Sequence, residues 1–381
     1  MAGHNKESSV AGTGLTRREF EKVVAKAALG VASLEIASRV GASLTVGLYI
    51  QRLFESRIVR SLSGQPSSQF GVHINPGNIR WFGLDQQDTL DAVLSPPAIE
   101  RARISVPPRE VAREEDRAKW NPGVRDSLIR EAVAKGKKID LQLGGFKTAG
   151  GEEVNTPMWL NIKHPELLRQ HAQLDEAQEV QLFALDVVRL TADHYIRHFG
   201  DYIASIQIEN EPFSKRLPLT NYRYISTRFN QQEVALVKEI MKRHNRESIP
   251  ILQNVPLDTP EAWWYVLTHS DGIGINFYNQ YSGLRVSEDN LLRLTKLIFF
   301  VARVLGKRTF ITEYQSAAWL KGDKEPHSPF DAGKRWRGLE RLLKLRPEAI
   351  LLWDVEQLLW RARDFGEMEH IEFLNSLPQL F

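Results

Sequence analysis

From about residue 69 onward, short apolar runs alternate with longer stretches whose apolar positions recur every three to four residues. The short, strand-like runs fall at 70–74, 102–106, 139–143, 203–208, 249–253, 272–277, 309–312 and 349–353, eight in all. Between them, 126–135, 174–198, 229–244, 291–305 and 330–343 have a helical period. Strands separated by helices pair in parallel, because each crossover returns the chain to the same end of the sheet. Eight such units close into a (β/α)8 barrel. Several runs are apolar almost throughout, as strands covered on both faces are. Residues just past the carboxyl ends of the strands then share one cleft.

Two of these strands end in acids. In Ser205-Ile206-Gln207-Ile208-Glu209-Asn210-Glu211-Pro212-Phe213 the alternation of Ile206 and Ile208 gives way to polar residues. Pro212, which cannot extend a ladder, marks the passage from strand to loop. Further along, Thr309-Phe310-Ile311-Thr312-Glu313-Tyr314 repeats the arrangement. Carboxylates at the ends of core strands are costly to bury unless a site uses them. A pair of them on two separate strands is what glycoside hydrolysis needs. In its retaining form one carboxylic acid protonates the leaving oxygen and one carboxylate attacks the anomeric carbon. Glu209 is expected to be structural, turned away from Glu211 by the alternation of strand faces.

Composition narrows the alternatives. Apolar content of 42% and charged content of 25% are those of an ordinary soluble globular protein. A net charge of +3 gives no footing for nucleic acid or an anionic membrane. With no cysteine, disulfides and thiolate metal sites are excluded. Several of the nine tryptophans fall near strand ends, where an aromatic face can stack on a sugar ring, although core packing is the commoner use.

Residues 1–65 form a separate N-terminal extension, and residues 66–381 the barrel. Thr16-Arg17-Arg18-Glu19-Phe20-Glu21-Lys22 resembles a twin-arginine export signal, but Glu21 stands where an apolar residue is usual. Lys26, Glu35 and Arg39 also interrupt the apolar stretch that follows. The longest uncharged run there, 40–51, is shorter than the roughly 20 residues that span a bilayer. A helical extension packed on the barrel of a cytoplasmic protein is therefore the expectation, ahead of export or membrane contact. Ser61-Leu62-Ser63-Gly64-Gln65-Pro66-Ser67-Ser68 has the composition of a linker.

The order of these motifs makes the chain from about 69 to 360 resemble the retaining (β/α)8 glycoside hydrolases of clan A. These TIM barrels include cellulases, β-mannanases and β-glucosidases. In that clan an Asn-Glu-Pro follows the fourth strand and its Glu is the acid/base; a Thr-Glu or similar pair ends the seventh and its Glu is the nucleophile. Asn210-Glu211-Pro212 lies on the fourth strand counted here and Thr312-Glu313 on the seventh. The resemblance implies Glu211 as acid/base and Glu313 as nucleophile. Arg103, in Arg101-Ala102-Arg103-Ile104-Ser105-Val106, matches the second-strand arginine that would supply charge beside the nucleophile. Tyr278, in Gly274-Ile275-Asn276-Phe277-Tyr278, matches the sixth-strand phenol that donates to it. Asn210 would bond the sugar 2-hydroxyl, and Trp353 would floor the sugar site. His73, Trp159, Gln315, Trp319 and Glu356 also lie past strand ends and are further candidates for the cleft.

The implied activity is hydrolysis of O-glycosyl compounds at β linkages, with a carbohydrate substrate and neither metal nor organic cofactor. The alternative is a barrel of the same family that has lost turnover and binds carbohydrate. The presence of both glutamates with Arg103 and Tyr278 argues for the enzyme, since a binder has no need of that charge pair. Other signals are weaker. His194 and His198 sit one helical turn apart, but Tyr195 stands where a zinc peptidase carries its Glu, so two solvated histidines are expected. His73-Ile74-Asn75 lacks the second histidine of metal-dependent barrel hydrolases. Gly12-Thr13-Gly14 and Gly272-Ile273-Gly274 lack the context of a dinucleotide fingerprint. Lys334-Arg335-Trp336-Arg337 opens a basic amphipathic helix of the kind that coats barrels.

Overall fold

The computed structural model describes residues 68–148, 155–213, 223–256, 260–278, 288–315 and 332–377. The N-terminal extension, all of the expected linker except Ser68, and Trp319 lie outside them. Eight strands form a closed barrel in sequence order: β1 (Gln69–Ile74), β2 (Ile99–Ser105), β3 (Lys138–Leu143), β4 (Ile203–Ile208), β5 (Ile251–Pro256), β6 (Gly272–Tyr278), β7 (Arg308–Gln315) and β8 (Ala349–Leu352). Every neighbouring pair is parallel, and β1 closes on β8. A principal helix follows each strand: α1 (Gln86–Leu94), α2 (Asp126–Ala134), α3 (Gln178–Phe199), α4 (Thr227–Arg243), α5 (Pro260–His269), α6 (Glu288–Val304), α7 (Ala332–Leu343) and α8 (Val355–Phe365). This is a TIM barrel, as the alternation of periods predicts.

Three of these eight helices escaped the sequence pattern, each for a local reason. α1 is short, and its first turn is polar; the Asp85 side chain caps it by accepting from the Asp88 N–H at 2.9 Å. α5 packs a run of bulky aromatics, Trp263-Trp264-Tyr265, that blurs its period. Only Trp353 and Asp354 separate β8 from α8, so no loop in the sequence marks where the helix begins.

The strands divide their side chains by polarity. The outward set, such as Ala102, Ile104, Leu141, Ile206 and Ile350, joins the core under the helices. The inward set on β2 reads Arg101, Arg103 and Ser105, all buried. Arg101 pairs with Asp140, which also accepts from Ser205. Leu252, Phe310, Ala349 and Leu351 form a small separate apolar cluster, and the Arg101 guanidinium lies 5.4 Å from the Phe310 ring centre. The barrel is therefore plugged at one level and polar above it.

β7 carries one residue more than its neighbours between Ile311 and Tyr314. Ile275 pairs with Ile311 but Asn276 with Glu313, leaving Thr312 as a bulge. Bulges re-aim side chains near functional ends of sheets, and this one turns Glu313 into the lumen instead of outward.

Gly71 marks how tightly the plug is packed. A Cβ there would lie 2.6 Å from Leu351 Cδ2 and 2.8 Å from the Arg101 carbonyl oxygen. Gly71→Ala is expected to destabilise the barrel by about 1–3 kcal/mol through overpacking, read as a lower denaturant midpoint at unchanged slope. An unchanged midpoint would show that β1 can yield there.

Candidate active site

The turn after β4 is built on strained backbone. Glu209 and Glu211 have φ of 60° and 47°, left-handed values that cost a non-glycine residue about 1–3 kcal/mol and concentrate at functional sites. Residues 209 and 211 share strand parity, so alternation cannot separate them; the left-handed turn does. The Glu209 carboxyl folds back to accept from the N–H groups of Gly145 at 2.7 Å, of Phe146 at 2.9 Å and of Lys147. It is thus turned away from Glu211, for a different reason from the expected one.

Glu313 is buried and doubly held. Arg103 Nη1 donates to its Oε1 at 2.7 Å, and the Tyr278 hydroxyl donates to its Oε2. The same guanidinium reaches the Thr312 carbonyl at 3.1 Å and Asn210 Oδ1 at 3.1 Å. Asn210 Oδ1 also accepts from Asn254 Nδ2 at 2.7 Å. With its oxygen occupied by the protein, the NH2 half of Asn210 is the part available to a ligand.

Asn254 and Asn276 complete the network, and sequence reasoning passed over both. Asn276 Nδ2 donates to Glu211 Oε1 at 2.7 Å, while Asn276 Oδ1 accepts from Thr312 Oγ1 at 2.8 Å. Asn254 Oδ1 accepts the Glu211 N–H at 2.8 Å. One hydrogen-bonded web thus joins Glu211 and Glu313 through β2, β4, β5, β6 and β7. A signal was available: Asn254 and Asn276 are inward amides near the carboxyl ends of their strands, where an apolar lumen would have no use for them.

Trp353 follows β8, half-buried, with its ring edge-on to Tyr278 at 6.5 Å between centres. Gln315 and Asp354 are buried beside it, with Gln315 Nε2 donating to Asp354 Oδ2 at 3.1 Å. The remaining described candidates are held by other partners. His73 stands in register with Arg103 on β2, bonded to Ser105 Oγ at 3.1 Å. Burial first, and the Arg103 charge second, push its pKa well down and keep the ring neutral. Trp159 is drawn to the outer layer, donating to the Ala112 carbonyl at 2.9 Å with its ring edge against Phe183 of α3. Glu356 is buried at the start of α8, where Oε1 accepts the Asn75 N–H at 2.7 Å. His194, on the outer helix α3, is engaged by Asp126 at 2.7 Å.

Solved structures share this architecture. The GH42 β-galactosidase Gan42B of G. stearothermophilus superposes with a TM-score of 0.54 at 14% identity, covering 83% of this chain and 57% of that one. The likeness is one of fold. A β-galactosidase from Rahnella sp. R3 gives 0.54 at 12% identity, over 84% of this chain and 57% of its own. A GH5_18 protein from Streptomyces cattleya, solved with GlcNAc, gives 0.54 at 15%, over 76% and 71%. The chain thus spans little more than half the length of the two β-galactosidases. No protein-family model matches the sequence, and no curated protein does.

Two buried acids beside the site tie stability to pH. Burial pushes Glu356 up to about 8, the Asn75 N–H opposing and the Asp354 charge adding. Burial pushes Asp354 up to about 7 against the Arg335 charge and the Asn78 amide. The folded state then binds more protons than the unfolded chain, whose acids titrate near 4. Their stabilisation is complete below that value and is lost as pH rises through 7 and 8. Melting temperature should fall between pH 5 and 8, and Glu356→Gln should flatten the fall. A variant with the wild-type slope would exclude Glu356 as its source.

Proposed function

We propose that the chain is a retaining glycoside hydrolase that cleaves β-linked glycosidic bonds by double displacement. Glu211 is the acid/base and Glu313 the nucleophile. The observation that carries the assignment is the division of partners between the two glutamates. Glu313 accepts from a guanidinium and a phenol hydroxyl, which hold and orient its carboxyl group for attack. Glu211 receives the Asn276 amide and stands on a strained turn beside Asn210.

In the first step Glu313 attacks the anomeric carbon while Glu211 gives its proton to the glycosidic oxygen, so the aglycone leaves as an alcohol. Water then attacks the glycosyl ester from the opposite side, Glu211 takes its proton, and Glu313 departs as a carboxylate. The Asn210 NH2 would meet the sugar 2-hydroxyl, a bond that tightens as positive charge builds at the anomeric carbon. Trp353, backed by the Tyr278 edge, would lie under the ring. The fold shared with glycosidases supports this reading by analogy alone; the residues carry it. The two carboxyl groups should stand about 5–5.5 Å apart in the substrate complex, the retaining separation.

Activity should appear on a panel of aryl β-glucosides, mannosides, galactosides and xylosides. Glu313→Ala should lose the first step for every leaving group, and azide should then give an inverted glycosyl azide. Glu211→Ala should still release activated aryl groups, stall at the glycosyl-enzyme, and be rescued by azide with retained configuration. The reverse pattern would exchange the roles. A well-folded wild type inert on the whole panel would favour a carbohydrate-binding barrel. Tyr278→Phe should lower kcat by about 10²-fold, the scale for one lost donor to developing charge, while leaving the melting temperature near wild type. Full activity in that variant would remove Tyr278 from the assignment.

A further inference from the structure

Behind the acid/base turn lies a second pair of carboxyl groups that the mechanism does not use. Glu209, just after β4, and Glu233, on α4, are both fully buried. The Gly145 N–H donates to both, to Glu209 Oε1 at 2.7 Å and to Glu233 Oε1 at 3.1 Å. Room for them is cut out of the backbone: a Cβ on Gly144 would lie 2.5 Å from the Glu209 carboxyl carbon. Glu209 Oε1 and Oε2 between them take three successive backbone N–H groups, the environment of an ionised carboxylate. Glu233 Oε2 has no hydrogen-bond partner among the described residues unless it carries a proton itself. A proton there would donate to the neighbouring carboxylate.

The segment this pair grips in turn grips the catalytic turn. The Lys147 carbonyl accepts the Asn210 N–H at 2.6 Å, and Lys147 Nζ donates to the Glu211 carbonyl at 2.9 Å and to the Arg223 carbonyl at 2.9 Å. Neither Glu209 nor Glu233 bonds the Glu211 or Glu313 carboxyl groups, so their influence on chemistry runs through residues 145–147.

We propose that Glu209 and Glu233 hold one proton between them and act as a positioning pair for the acid/base, fixing Asn210 and Glu211 through the 145–147 segment. The role in catalysis rests on the glycosidase reading above; the shared proton does not. Burial is the largest cause raising both groups. The three N–H bonds oppose it at Glu209, and the Glu209 charge adds to it at Glu233, so the proton resides on Glu233. The other groups facing the pair are Asn230 on α4, Tyr265 on α5 and Lys147. The Tyr265 phenol is itself pushed up by burial and by the Glu233 charge. Asn230 and Tyr265 bring no positive charge to the pair, and Lys147 meets it through its backbone N–H while its Nζ reaches the Glu211 and Arg223 carbonyls. Loss of the proton at high pH therefore loosens the segment.

The test uses Glu209→Gln, Glu233→Gln and Glu233→Ala on two glycosides, one with an activated aryl leaving group and one with an alkyl group. A displaced acid harms only the substrate that needs a proton. Glu209→Gln and Glu233→Ala should lose about 10²-fold in kcat/KM on the alkyl glycoside, the scale of a misplaced catalytic group, and far less on the aryl one. Glu233→Gln, whose amide donates as the protonated acid does, should keep the wild-type ratio between substrates. Equal losses on both substrates in every variant would reduce the pair to a folding role and overturn the proposal. If Glu209→Gln fails to fold, the two Glu233 variants decide the same question. Amide exchange at residues 145–147 gives a readout free of activity. Protection should fall in the wild type as pH rises above neutrality and should persist in Glu233→Gln. Identical pH dependence in both proteins would overturn the shared proton. The expected exchange in a wild type that cleaves no glycoside would overturn the catalytic half alone, and with it the glycosidase reading.

Discussion

The ion pair between Arg103 and Glu313 sets the terms for the carboxyl end of this barrel. Its side chains are 1% and 3% exposed, and removing one partner from such a pair typically costs about 3–5 kcal/mol, because the other is left charged in a poor solvent. Glu313 can therefore occupy the lumen only with Arg103 in place, and Arg103 only in a lumen lined with acceptors. The alternation Arg101, Arg103, Ser105 on β2 is the sequence form of that requirement. The planar guanidinium serves three acceptors, Glu313 Oε1 and the Thr312 carbonyl on β7 and Asn210 Oδ1 just past β4. A lysine could match the charge but not the fork.

Around this pair the backbone departs from ideal barrel geometry in three places, each serving a side chain. Thr312 bulges so that Glu313 faces inward. Glu209 and Glu211 take left-handed φ so that one carboxyl turns back to the β3 loop while the other meets Asn276. Asp354 takes φ 60° and ψ 39° between Trp353 and α8. The rest of the barrel over-determines these conformations, since each lies next to strands paired on both sides.

The barrel was legible because its cause is periodicity: eight apolar runs separated by helical spacing have few other solutions. The two glutamates and their Arg103 and Tyr278 partners were legible because charged or polar residues at the ends of buried strands conflict with burial unless paired. What escaped depends on contacts between distant segments. Trp159 has the same look in sequence as Trp353, yet one donates to the Ala112 carbonyl in the outer layer and the other faces Tyr278. Glu209 and Glu233 are 24 positions apart (233 − 209), and nothing local says that their carboxyl groups share one N–H. The Asn254 and Asn276 amides were overlooked because a neutral side chain in a strand carries no electrostatic alarm.

Charge balance explains why so many acids can gather here. Among the described residues, the acids Glu209, Glu211, Glu233, Glu313, Asp354 and Glu356 lie at or behind the carboxyl end of the lumen, with Arg103, Lys147 and Arg335 near them. An excess of negative charge is costly in a low dielectric, and protonation of the buried acids relieves it. Burial favours the protonated form at Asp354, Glu233 and Glu356. The consequence reaches the ion pair itself. Acids that stay neutral do not compete for the Arg103 guanidinium, so its charge remains directed at Glu313, the carboxylate placed to attack.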